Sequence, residues 1–297
     1  MWARDGQQPK ESERWLEGYQ RLSELKQQLP DTRWVYVGDR EADLFTLYQE
    51  QAVAPHIDYL IRGKHNRKLA DGRKLKEVVA AEPALGEVRF TLPKGRKRPS
   101  RSVTLSIRVA RVELKQQQLP ITVVMAEEQS VPAGATPVSW ILLSNIQVET
   151  LSGAQELLNW YLCRWEIELF FKTLKSGCRV ESMQLRSREK LERLLVIKMI
   201  VAWRVMYLMR LNRVVPEHSC ELAFDPEEWR IIYASALRKA PSKEAPSLRT
   251  LIHLVASYGG YLGRKGDGEP GLKTLWLGLE RCHDMVRAIQ ETKELLG

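Results

Sequence analysis

Hydrophobic positions along the chain change period several times, and each change marks a different kind of element. From Glu13 to Gln28, the residues Trp15, Leu16, Tyr19, Leu22 and Leu25 recur at helical spacing on one broad face, and Pro30 and Asp31 end that helix. Trp34-Val35-Tyr36-Val37-Gly38 then reads as a short buried strand. It leads into the acidic turn Asp39-Arg40-Glu41-Ala42-Asp43, after which Leu44 to Gln51 reads as helix. A strand that runs through a polar turn into a helix sets polar groups at the strand's carboxyl end, where α/β proteins place their sites.

From about Ile57 to Val148 the pattern turns to period two. Candidate strands are Tyr59–Arg62, Glu87–Thr91, Ser102–Val112, Ile121–Ala126 and Ser139–Leu143, with one short helix near Leu75 to Ala81. Basic turn segments separate several of them, among them Lys64 to Lys68 and Lys94 to Arg98. This block reads as a β-sheet insertion. Helical spacing returns at Ser152, where Ser152-Gly153-Ala154-Gln155 fits a capping box. That helix is expected to run to about Lys175, with Gly177 as a left-handed terminator. A second helix, Glu189 to Arg210, is apolar on most sides. Beyond Val215-Pro216 come three more, Asp225 to Leu237, Ser247 to Tyr258 and Gly271 to Leu296. No internal repeat is visible.

Composition narrows the class. A chain of 297 residues with 44% hydrophobic content can bury a sizeable core, so wholesale disorder is excluded. The net charge of +9 points to a polyanionic partner, a nucleic acid or an anionic membrane surface. The four cysteines, Cys163, Cys178, Cys220 and Cys282, lack paired metal-site spacing and read as free thiols of a reducing compartment. The segment Trp2 to Arg14 is charged and has no secretory character. The most apolar helical stretch, Leu194 to Leu211, contains Lys198 and Arg204 and reads as a buried core helix rather than a membrane span. A soluble cytoplasmic protein with no membrane partner is expected.

The chemistry gathers on the helix from Ala154 to Lys175. At about 100° per residue, Tyr161, Arg164, Trp165, Glu168, Lys172 and Lys175 share one side, while Cys163, Ile167, Phe170, Phe171 and Leu174 form a core-facing stripe. The polar side is open to a plain reading as a solvated face with i,i+4 pairs, each worth about 0.2–0.5 kcal/mol. Its tryptophan beside cations also suits stacking on a base while phosphates are held.

The spacing Tyr161-x2-Arg164-x3-Glu168-x6-Lys175 resembles the tyrosine–arginine–glutamate–lysine signature of bacterial insertion-sequence DDE transposases of the Tn-five-like (IS-four) family. The acidic turn after the Val-Tyr-Val strand resembles the stretch that carries that family's second catalytic aspartate. Ile61-Arg62-Gly63-Lys64-His65 and Ser139-Trp140-Ile141-Leu142-Leu143 also resemble family segments, in the same order. Tyr258-Gly259-Gly260-Tyr261-Leu262 and Thr274-Leu275-Trp276 resemble its dimerisation region, so the likeness covers essentially the whole chain.

The resemblance implies an α/β fold. An incomplete ribonuclease-H-like core is interrupted by the β-sheet insertion and followed by an all-helical dimerisation region. The expected divisions are a core remnant at 1–56, the β-rich insertion at 57–150, core helices carrying Glu168 at 151–214 and the dimerisation helices at 215–297. It implies metal-dependent cutting and strand transfer of double-stranded DNA at transposon ends, close to the bacterial nucleoid, by a homodimer joined through the C-terminal helices. Asp39 and Glu168 would be catalytic carboxylates and metal ligands for Mg²⁺ or Mn²⁺. The complete family site holds two ions, which sit about 3.5–4 Å apart in such sites.

Further residue roles follow from the same likeness. Tyr161, Arg164, Lys172 and Lys175 would hold terminal phosphates, which suits bidentate arginine and point-charge lysine. Trp140 would stack on a flipped base with Trp165 beside it, although a strand tryptophan packed in the core is an open alternative. Arg62 and Lys64 are candidate backbone contacts. Arg67, Lys68 and the run Arg96-Lys97-Arg98 are either further contacts or solvated loop. The family's first catalytic aspartate and its N-terminal DNA-recognition helices lie upstream of the segment that Trp2-Ala3-Arg4 resembles. Neither Asp5 nor Asp31 ends an apolar strand. The expectation is therefore a truncated chain, inactive in cleavage by itself, with an uncovered edge on its remaining sheet. A second reading is a non-catalytic fragment that joins full-length transposase in mixed complexes.

Overall fold

The computed structural model describes residues 11–53, 57–92, 101–178 and 180–296. The chain divides at the Arg164–Trp165 bond into two compact units. In the first, a six-stranded sheet has the order β1-β2-β6-β5-β4-β3. Its strands are β1 (Val35–Gly38), β2 (Asp58–Arg62), β3 (Gly86–Leu92), β4 (Arg101–Leu114), β5 (Leu119–Gln129) and β6 (Ser139–Ser144). Only β1 and β2 run parallel, joined by the crossover helix α2 (Phe45–Val53); every other neighbouring pair is antiparallel. The β-rich block does not form a sheet of its own, because β2 bonds to β1 on one side and to β6 on the other.

Period-two alternation serves both faces of this sheet. On β5, Ile121, Val123 and Met125 join a core with Tyr59 and Ile61 of β2 and Leu143 of β6. Helices α1 (Glu11–Gln28), α2 and α3 (Leu75–Ala81) supply the rest of that core through Tyr19, Leu47, Tyr48, Leu75 and Val79. The alternate residues Val124, Ala126, Leu60, Leu142 and Leu105 are buried as well. Their face is crossed by α4 (Leu151–Cys163), which packs against β1, β3 and β4 and buries Ala154, Leu157, Leu158 and Tyr161. Strand β1 is the terminal strand, and its outer edge has no strand partner among the described residues.

In the second unit, α5 (Trp165–Lys172) is followed by a π-turn (Thr173–Gly177), α6 (Arg188–Val214), α7 (Pro226–Leu237), α8 (Leu248–Tyr258) and α9 (Leu272–Leu296). Its core contains Val205, Leu208, Trp229, Ile232, Leu251, Val255 and Leu275. Helices α8 and α9 meet backbone to backbone. A Cβ on Gly278 would lie 2.0 Å from the carbonyl oxygen of Val255, and one on Gly259 would lie 1.8 Å from that of Thr274. No helix among the described residues is long and apolar enough to cross a membrane.

Five local expectations are corrected by the structure. The cap of α4 is Thr150, whose Oγ1 accepts from the Gly153 N–H at 3.2 Å, so the capping box at Ser152 does not form. The long helix to Lys175 is interrupted at Arg164, whose N–H bonds three residues back to Tyr161 at 3.1 Å. Gly177 is not a left-handed terminator. A π-turn closes there through the Cys178 N–H to Thr173 at 3.1 Å, and Gly177 faces the Trp276 indole, which a Cβ would meet at an ordinary contact distance of 3.4 Å. Finally, the stretch 194–211 is a core helix on one face only. Ala202, Val205 and Leu208 are buried, whereas Ile200 and Trp203 are 61% and 58% exposed. The expected core stripe is divided in the same way: Cys163 at the end of α4 and Ile167 and Phe171 on α5 are exposed, whereas Phe170 and, in the π-turn, Leu174 pack into the core.

Because the clash at Gly278 is with backbone, Gly278→Ala is expected to destabilise the second unit by about 3 kcal/mol. Urea unfolding followed by tryptophan fluorescence measures this. An alanine variant as stable as the parent would contradict the close approach of α8 and α9.

Candidate functional site

The site begins where the two parallel strands end. Gly38 pairs with Ile61, so Asp39 and Arg62 leave β1 and β2 side by side. Asp39 is half-buried and opens a 3-10 turn over Arg40–Ala42, its Oδ1 accepting from the Glu41 N–H at 2.9 Å. The turn presses against its own strand: a Cβ on Gly38 would come within 2.5 Å of the Ala42 Cβ. Four residues on, Asp43 is a different kind of carboxylate, with its side chain fully buried.

Five donors reach the Asp43 carboxylate. Tyr48 Oη donates to Oδ1 at 2.7 Å, and Arg67 donates to the same oxygen through Nε at 3.1 Å and Nη2 at 2.5 Å. The backbone N–H groups of Lys64 and His65 donate to Oδ2 at 2.7 and 3.0 Å. Burial opposes ionisation of Asp43, but the hydrogen bonds from Arg67, Tyr48 and the His65 N–H together outweigh it and hold the carboxyl below its ordinary range. Burial and the adjacent Asp43 charge push the Tyr48 phenol well up. The Arg67 guanidinium also lies 5.5 Å from the Tyr48 ring centroid. Arg67 is therefore a structural partner of Asp43, and the reading of it as a phosphate contact is corrected. Lys64 and Lys68 keep exposed side chains. The run Arg96-Lys97-Arg98 lies outside the described residues.

Arg62 is half-buried and reaches the carbonyl of Ser139 at 3.4 Å, which brings it next to Trp140 at the start of β6. Trp140 is 6% exposed, stacked on Phe90 at 5.5 Å and met edge-on by Tyr161 at 5.7 Å. Its position is that of the packed strand tryptophan. Tyr161 is equally buried, and its hydroxyl finds no hydrogen-bond partner among the described residues. The Arg164 guanidinium lies 5.9 Å from the Tyr161 ring. Thus Asp39, Arg62 and Lys64 gather at one pair of strand ends, and Trp140, Tyr161 and Arg164 form an aromatic and cationic group.

The remaining residues belong to the second unit. Trp165, Glu168 and Lys172 stand on α5, where Trp165 is half-buried and Glu168 and Lys172 are exposed. Glu166 ties α5 to α6 through Arg210 at 2.5 Å. Lys175 sits in the π-turn and pairs with Glu181 at 3.4 Å, an exposed contact worth little in water. Thr173 Oγ1 bonds back to the Leu169 carbonyl at 2.8 Å, which helps set that turn.

Over residues 17–204 the sequence matches the family model described as the transposase DDE domain, well over half of the chain. The chain belongs to the DDE transposases. A second match, to the transposase Tn5 dimerisation domain, covers residues 200–294 and so takes in most of α6 with α7, α8 and α9. DDE transposase domains typically use a divalent metal ion. In this transposase no three His, Cys, Asp or Glu side chains gather around one point among the described residues. Such ions take oxygen ligands in near-octahedral sets, and Asp39 already gives one oxygen to the Glu41 N–H. The second oxygen of Asp39 is not engaged by that bond, and its hard carboxylate chemistry suits such an ion.

Sequence reading did not separate the two aspartates of the turn or anticipate the Asp43–Tyr48–Arg67 group. The signal was faint, since Asp43, Tyr48 and Arg67 lie on three different elements. Asp43→Asn strands a mostly buried guanidinium and is expected to cost about 3 kcal/mol at neutral pH. The folded carboxyl titrates below the unfolded value of about 3.9. Its contribution is thus present above that value and lost as the pH falls through the folded one. Denaturant unfolding between neutral pH and about pH 2.5 should show that acid-sensitive share in the parent and not in the variant. An equal acid slope in both proteins would count against it.

Proposed function

We propose that the chain is a DNA-binding transposase subunit that acts on double-stranded transposon ends. In this reading Asp39 and Glu168 are two carboxylate ligands of the Mg²⁺ or Mn²⁺ ions used in phosphodiester hydrolysis and strand transfer. The observation that carries it is the DDE-domain match, which includes both Asp39 at a strand's carboxyl end and Glu168 on α5. Hard carboxylate oxygens suit those ions. Arg62, Lys64, Arg164, Lys172 and Lys175 neutralise backbone phosphates, and Lys64, Lys172 and Lys175 are exposed for that purpose. Trp165 is the half-buried aromatic beside Arg164 in sequence and is assigned the stacking role. Tyr161 and Trp140 serve from within the packed group: an opening of the Phe90–Trp140 stack would give both a DNA contact.

In this reading the chain by itself cuts DNA little or not at all, because the family likeness assigns it only two of three catalytic carboxylates, Asp39 and Glu168, and two carboxylates hold two divalent ions poorly. Duplex DNA carrying the ends of the encoding element, incubated with Mn²⁺, tests this. Robust cutting that disappears in Asp39→Asn would refute the inactivity while supporting the ligand role. For binding, Lys64→Gln and Lys175→Gln are each expected to weaken duplex affinity several-fold and lower the salt slope by about one. Unchanged affinity in both would remove them from the interface.

The match to a dimerisation domain over residues 200–294 favours a homodimer joined through the C-terminal helices, and a second role in mixed complexes with a full-length transposase. Sedimentation equilibrium and co-purification with a full-length partner test both. A strictly monomeric chain that captures no partner would exclude them.

A further inference from the structure

A cavity of about 730 Å³ opens in the second unit between the π-turn and the first turns of α9. Lys172, Lys198 and Lys273 line it, against a single carboxylate, Glu280. None of the three lysines forms an ion pair among the described residues, whereas Lys175 is paired with Glu181 and Lys293 with Glu227. Lys198 is the unusual member. It is half-buried while Lys172 and Lys273 are exposed, and its ammonium lies 5.8 Å from the Trp276 ring centroid.

The wall around Lys198 is packed and hydrogen-bonded. Gly177 packs against the Trp276 indole, and the Cys178 thiol donates to the Lys198 carbonyl at 3.5 Å. A half-buried ammonium that no carboxylate reaches within ion-pair distance, although Glu280 lines the same cavity, gains when an anion joins it. A cation over an indole face recovers only part of that loss. The first turn of α9 contains no acidic residue, so the positive end of a 25-residue helix adds charge of the same sign. The Ser176 side of the lining adds a hydroxyl.

We propose that this cleft is a subsite for the phosphodiester backbone of a nucleic acid, centred on Lys198 and Lys273. Neither residue is singled out by the family signature. Lysine ammonium groups on different walls suit phosphate oxygens as point charges, and the cavity is large enough for a backbone segment rather than one ion. The inference rests on the reading that the chain binds DNA, and it adds contacts on a part of the second unit to which that reading assigns only Lys172.

Two measurements on the intact chain test it. In fluorescence anisotropy with a labelled duplex, Lys198→Gln and Lys273→Gln are each expected to weaken binding several-fold. Each should also lower the slope of log affinity against log salt by about one, while Lys76→Gln on α3 changes neither. Lys273 is exposed, so its variant reports even where Lys198→Gln is unstable. In acetylation footprinting read by mass spectrometry, the duplex is expected to protect Lys198 and Lys273 more than Lys76, and inorganic phosphate at the same phosphate concentration is not. Equal protection by inorganic phosphate makes the cleft a free-anion site and overturns the proposal. Binding that survives both substitutions, with no protection, overturns the subsite and leaves DNA binding by the chain intact. A parent chain that binds no duplex overturns both readings.

Discussion

The ionised carboxylate of Asp43 holds together the end of the sheet on which the first half of the site is built. It sits with no exposed side-chain surface, where an unpaired charge is strongly unfavourable, and five donors from three segments satisfy it. Those segments are α2 through Tyr48, the loop after β2 through the Lys64 and His65 amides, and Arg67 beyond them. Pulled onto one carboxylate, they fix the turn after β1 against the turn after β2. Asp39 and the Arg62–Lys64 segment therefore keep a constant relation to each other, although neither belongs to the Asp43 group itself except through the Lys64 amide.

The other end of the same strands is held by a smaller set of polar contacts. Asn145 accepts from the Tyr59 N–H at 2.8 Å and donates to Asp58 at 2.8 Å, and the Ser144 hydroxyl donates to the Tyr59 carbonyl at 2.6 Å. Between these two polar ends the sheet is filled by alternating apolar residues on both faces. In the second unit the cohesion has another origin: α8 and α9 approach so closely that only glycine fits at the contact points. One helix face remains apolar and exposed there, along Val196, Ile200, Trp203 and Tyr207 of α6, where Trp203 and Tyr207 stack at 5.0 Å.

Most of the architecture was legible in the chain because it follows from local periodicity. All five candidate strands of the β-rich block and the short helix at 75–81 form within a few residues of their expected limits, as do the C-terminal helices. Strand order was not legible, since alternation says which residues face a core and not which strand lies beside which. The helix break at Arg164 was also hidden, because Tyr161-Leu162-Cys163-Arg164-Trp165 contains no glycine or proline to mark it.

Sequence alone determined the element types, the strand-end position of Asp39 and the family. These depend on residue spacing along the chain, which no packing can change. Only tertiary structure decided which of two nearby aspartates is the buried one, and that Arg67 is committed to it. The same holds for the burial of Trp140 and Tyr161 against each other, and for the collection of Lys172, Lys198 and Lys273 around one cavity. Burial and charge pairing arise between residues far apart in sequence, so a carboxylate or an indole has the same local signature whether it ends up in water or in the core.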